Sequence, residues 1–68
     1  MMNIELKSDY MESADYDEDI EFLRVHYKDG RLTTFYDVKK EVALKFSQSE
    51  NQDKFYTEVI KKHKSSRT

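Results

Sequence analysis

The chain has 68 residues, 37% hydrophobic and 38% charged, which limits it to one domain with one thin core. It has no cysteine, so disulfides are excluded as a source of stability, and the margin that a domain this short needs must come from elsewhere. Five Tyr and four Phe bury a large area per residue and argue against disorder.

The net charge of −2 hides a split: residues 1–34 carry nine acids and four bases, residues 35–68 five acids and eight bases. Between residues 9 and 21 there are seven carboxylates and no base, whereas Lys61, Lys62, Lys64 and Arg67 crowd the far end. Charge runs of this kind are usually solvent-facing. A cluster of cations is also the footprint that a nucleic acid selects, although the overall acidity weighs against strong, non-specific binding.

Taken in chain order, residues 1–7 contain no apolar run of the kind a signal peptide carries. No window approaches the roughly 20 apolar residues of a spanning helix. The expected location is the cytoplasm. Residues 3–7 form either a short edge strand or a loose segment. A strand is predicted at about 10–16, with Met11, Ala14 and Tyr16 as its apolar positions, followed by a turn at Asp17-Glu18-Asp19. Leu23, Val25 and Tyr27 then alternate up to Lys28-Asp29-Gly30-Arg31, and Leu32-Thr33-Thr34-Phe35-Tyr36 follows. Gly30 is the only glycine, and Asp-Gly tolerates the positive φ of a hairpin turn, so these two runs are paired.

Two registers are open for this hairpin. A two-residue Asp29-Gly30 loop pairs Lys28 with Arg31 and Arg24 with Phe35. That register creates a basic face of Arg24, His26, Lys28 and Arg31 with Phe35 as an aromatic platform, able to stack a base and hold phosphates. A three-residue loop with a bulge slips the pairing by one and sends Thr33 and Phe35 into the core with Leu23 and Val25.

The period then changes. Val38, Val42 and Phe46, with Ala43, form a helical stripe, and Asp37 is the expected N-cap. Ser49 followed by Gln52 reads as a capping box for a second helix that carries Phe55, Tyr56, Val59, Ile60 and His63 on one face. Strands first and helices after imply an α+β fold, expected as a three-stranded antiparallel sheet followed by two helices packed on one face.

From Ser8 to His63 the chain resembles the KTSC domain, a small module found alone in bacteria and phages and at the C-terminus of some lysyl-tRNA synthetases. The resemblance rests on Ser8 with Met11, Tyr16-Asp17, Leu23-x-Val25-x-Tyr27, Gly30, Val38, and Phe55-Tyr56 with Ile60. The family's Tyr-x-Tyr pair falls on Thr33 and Phe35, its helix-opening Pro on Lys39, and its Gly and Asn beside the later aromatics on Asp53 and Thr57. The resemblance implies a single domain over residues 1–68, with a core at about 8–63 and a flexible basic tail at 64–68. It also implies RNA as a partner, by association with the synthetases.

Other constellations carry less. Asp15-x-Asp17-x-Asp19 opens like a calcium loop, but the Gly and Glu that such a loop requires fall on Ile20 and His26. His26 and His63 read as a sheet-face and a helix-end histidine rather than zinc ligands. No cofactor or metal is expected. No motif activates a nucleophile, so the expectation is a binding module and not an enzyme. Its candidate nucleic-acid residues are Arg24, His26, Lys28, Arg31, Phe35, Lys61, Lys62 and Lys64. The alternative is a protein-interaction module that docks on a partner, or on a second copy, through the acidic 9–21 segment and an exposed aromatic patch.

Overall fold

In the computed structural model, which describes residues 1–67, five antiparallel strands lie side by side in the order in which they occur in the chain. They are β1 (Met2–Glu5), β2 (Met11–Asp17), β3 (Phe22–Tyr27), β4 (Leu32–Phe35) and β5 (Ser65–Arg67). Two helices, α1 (Lys40–Gln48) and α2 (Gln52–Glu58), and a 3₁₀ turn at Ile60–Lys62 intervene between β4 and β5. Thr68 and the Arg67 side chain lie outside the described residues.

The α+β class and the two helices stand, but the sheet has five strands and not three. Residues 3–7 supply most of β1, and residues 65–67, expected as part of a flexible tail, pair with β4 instead. Ser65 lies opposite Phe35 and Ser66 opposite Thr34. β1 and the residue after it have the short alternation of Met2, Ile4 and Leu6, whereas Ser65-Ser66-Arg67 has none. Their backbone ladders hold them, because a strand edge left open must otherwise be satisfied by water.

On β2 the buried positions are Met11, Ala14 and Tyr16, a spacing of three and then two. A bulge between Met11 and Ser13 explains it, since one extra residue switches the face that the following side chains occupy. The β3–β4 hairpin adopts the three-residue loop. The Gly30 N–H donates to the Tyr27 carbonyl at 3.0 Å and the Tyr27 N–H to the Arg31 carbonyl at 2.9 Å. Gly30 takes φ +91°, and no other residue of the loop is left-handed. A two-residue loop of the favoured type would need Asp29 to be left-handed as well. Leu23 therefore pairs with Phe35 and Val25 with Thr33.

The inward faces of the sheet meet α1 and α2. Ile4, Met11, Ala14, Tyr16, Leu23, Val25 and Phe35 form one core with Val38, Ala43, Phe46, Tyr56 and Ile60. Phe46 of α1 stacks on Phe55 of α2, with ring centroids 5.7 Å apart.

Both helix starts differ from the expected ones. α1 begins at Lys40 with Lys39 as an uncapped N-cap, while Asp37 is a left-handed residue at φ 56°. The reason lies in Val38, which is fully buried. Its N–H donates to the Glu21 carbonyl at 2.9 Å, and its own carbonyl accepts the Tyr16 hydroxyl at 2.6 Å. Asp37 turns the chain so that Val38 reaches these partners. For α2 the N-cap is Asn51, whose side chain accepts the Lys54 N–H at 3.1 Å. Ser49 instead ends α1, and Gln52 is buried. The Gln52 side chain accepts the Lys7 N–H at 2.7 Å and donates to the carbonyls of Glu5 and Phe46 at 3.3 Å each, tying β1 to the helices.

Candidate ligand-binding cleft

Where the hairpin tip meets α2, the surface folds inward into a cleft of about 590 Å³. Local rules place each wall. Ser8 accepts the N–H groups of Tyr10 and Met11 at 3.2 and 3.0 Å, which fixes the bend into β2 and presents Tyr10. The Lys28 N–H donates to the Tyr10 carbonyl at 3.0 Å, so the hairpin tip leans against that bend. Asp29 accepts the Arg31 N–H at 3.0 Å, an Asx turn that steadies the loop. On the other side stand Tyr56 from α2 and Lys61 from the 3₁₀ turn.

Tyr56 is the hub of the aromatic floor. Its ring meets the rings of Tyr10, Tyr27 and Phe35 edge to face, with centroids 6.0, 6.3 and 5.9 Å apart. Such pairs add about 0.5–1.5 kcal/mol each beyond simple burial. The Tyr27 and Tyr56 hydroxyls hydrogen-bond to each other. Tyr10 is 41% exposed and supplies the accessible ring of the cleft. Burial pushes its phenol pKa above the ordinary 10.0, opposed by a hydrogen bond to Thr57 and reinforced by the Asp53 carboxylate. The ring is therefore neutral at physiological pH.

Three cations and two carboxylates share the walls: Lys28, Arg31 and Lys61 against Asp9 and Asp29. Arg31 Nε lies 3.4 Å from Asp29 Oδ2, a largely solvated pair of small energetic weight. The cleft keeps a modest positive excess in a chain that is acidic overall.

The expected site residues separate into three groups. Lys28, Arg31, Phe35 and Lys61 come together at the cleft. Phe35 serves as floor and not as an open platform. The three-residue loop turns it inward, where it is 2% exposed beneath Tyr56. Arg24 and His26 face the opposite side of the sheet, since they alternate with the buried Leu23 and Val25. There His26 Nε2 lies 2.9 Å from Asp15 Oδ2, and Asn3 donates to Asp15 Oδ1 at 2.8 Å. Lys62 and Lys64 are exposed outside the cleft.

Charge patterning missed Tyr10, Tyr27 and Tyr56 as site residues. The signal for two of them was present in the Leu-x-Val-x-Tyr strand and the Phe55-Tyr56 pair, the positions that carry the family resemblance.

Among the described residues, three of the seven carboxylates in the acidic 9–21 segment have side-chain partners. Glu18 contacts Lys40 and Glu21 contacts Lys39, each at 3.1 Å, while Asp15 holds His26 and Asn3. Among the described residues no helix is long and apolar enough to cross a membrane.

The family profile described as KTSC domain matches residues 7–63. Among solved structures, the chain is similar to the crystal structure of a KTSC domain protein from Yersinia pestis. The two share 20% identity and superpose with a TM-score of 0.87, covering 98% of this chain and 96% of that one. At that identity the likeness concerns the fold. No curated protein sequence matches the chain.

Proposed function

The chain belongs to the KTSC domain family, and from that premise we propose that it is a non-catalytic module that binds single-stranded nucleic acid, RNA foremost, in the cleft between the hairpin tip and α2. One observation carries this reading: Lys28, Arg31 and Lys61 border a cleft floored by Tyr27, Phe35 and Tyr56, with Tyr10 accessible at its wall. A base stacked on an aromatic ring gains about 1–3 kcal/mol, and cations alongside hold the phosphates. Three cations engage a short stretch of backbone, which suits a chain of net charge −2.

The test is a titration of short fluorescent single-stranded RNA followed by anisotropy at several salt concentrations. With about three phosphates neutralised, log K falls against log salt with a slope of roughly −2. Lys28→Ala and Lys61→Ala each weaken binding several-fold at low salt and reduce that slope. Arg24→Ala, on the opposite face of the sheet, leaves both unchanged. Absence of any anisotropy change at low salt overturns the reading.

A protein partner or a second copy of the chain is the competing occupant. Recovery of partners from the native cell with and without nuclease separates the two, because nuclease abolishes RNA-bridged recovery alone.

A further inference from the structure

Resting on the nucleic-acid reading above, we infer that the cleft takes one unstacked nucleotide, its base against the Tyr10 ring and the Tyr27 hydroxyl and its phosphate between Lys28 and Lys61. The first argument is size. A volume of about 590 Å³ is that of a small-ligand site, with room for one nucleotide. The nucleic acid therefore enters it one residue at a time.

The second argument is chemistry at the floor. Tyr27 shares a hydrogen bond with Tyr56. If Tyr27 donates in that bond, its oxygen still accepts; if it accepts, its own proton remains to be given. Either way its hydroxyl keeps capacity for a polar edge placed in the cleft. A phosphate alone makes no use of the exposed Tyr10 ring, whereas a nucleotide stacks its base there and offers a polar edge to this hydroxyl.

The third argument is charge. Lys28 stands at the hairpin tip and Lys61 on the 3₁₀ turn, so the two cations come from opposite walls. Among the described residues neither makes a salt bridge, whereas Arg31 is shared with Asp29. A phosphate between two separate ammonium groups is attracted by both.

The experiment uses the full chain labelled with ¹⁵N. Free nucleoside 5′-monophosphates, the matching nucleosides and inorganic phosphate are titrated separately, and each is also used to displace labelled RNA. Monophosphates are expected to shift the amides of Tyr10, Lys28 and Tyr56, at concentrations at least tenfold below those at which nucleoside or phosphate acts. Tyr27→Phe is expected to lower monophosphate affinity at least threefold and to alter the order of preference among the four bases. Because that variant keeps the ring, the wild-type titration and the variant check each other. If RNA binds but monophosphates neither shift these amides nor displace it, the one-nucleotide inference falls while the broader reading stands. If monophosphates bind and RNA does not, the inference holds with a free nucleotide as the ligand. If monophosphate and inorganic phosphate act equally, the site reads an anion only and the inference falls.

Discussion

Gly30 carries a cost that no contact explains. At φ +91° it occupies backbone space that L-residues rarely enter, yet a Cβ placed there meets no atom within 4 Å. Gly30→Ala is therefore expected to destabilise by about 1 kcal/mol through backbone strain alone, read as a lower urea midpoint with unchanged slope. A larger loss would mean that the loop had reverted to another register. Such a loss would also displace Phe35, because a slip of one residue exchanges the two faces of β4. Glu21 and Asp37, both at φ 56°, hold similar conformations without the freedom of glycine. They persist because the hydrogen bonds of Val38 to Glu21 and Tyr16 fix the chain on either side.

At the scale of elements, Gln52 is the side chain whose loss would spread furthest. One amide joins the end of β1, Lys7 two positions beyond it and the C-terminus of α1. Gln52→Ala removes the partner of the Lys7 N–H and a donor from the Glu5 and Phe46 carbonyls, and is expected to cost about 1–3 kcal/mol. Hydrogen exchange at the Lys7 amide reports it directly and should accelerate more than exchange at the centre of β3. In the sequence, the distance of Gln52 from Ser49 is the spacing of a capping box. Spacing cannot show that Asn51 is the better cap, nor that a residue 45 positions earlier competes for the amide. The same limit accounts for β5, which no local pattern announces, and for the two readings open at residues 3–7. The β3–β4 hairpin and both helices announce themselves by local period and by Gly30, whereas β1 has an alternation too short to separate it from a loose segment and β5 is defined by a partner distant in sequence. The cleft was legible only in fragments, since its walls come from the bend before β2, the hairpin, α2 and the 3₁₀ turn.

For the molecule as a whole, the tyrosines set the alkaline limit of stability. Burial raises the pKa of Tyr16 above 10.0, with the carboxylates of Glu21 and Glu18 adding to it, and burial likewise raises that of Tyr10. Below pH 10 both phenols are protonated in the folded and the unfolded chain, so their contribution is fully present. As pH climbs past the unfolded value, the unfolded chain ionises first and stability falls until the folded groups ionise too. Lys39 acts in the same direction. Its hydrogen bond and charge attraction to Glu21 raise its pKa above 10.5, and that stabilisation is lost as pH rises through the folded value. Urea midpoints measured from pH 8 to 11 should hold level and then decline. Tyr16→Phe should lower the neutral plateau, because it leaves the Val38 carbonyl without its buried partner, and should make the decline shallower.

The order of strands in the sheet repeats their order in the chain. Each of the first four can pair with the strand just made, across a short connection, at little entropic cost. β5 is different, for it must wait until the 29 residues between Phe35 and Ser65 have been gathered into α1, α2 and the 3₁₀ turn. The last ladder to close is thus the one beside Thr33 and Phe35, and Ser65 on that ladder also borders the cleft. Opening of this one ladder therefore removes a border of the cleft, so the capacity to hold a ligand depends on the closure of β5 on β4.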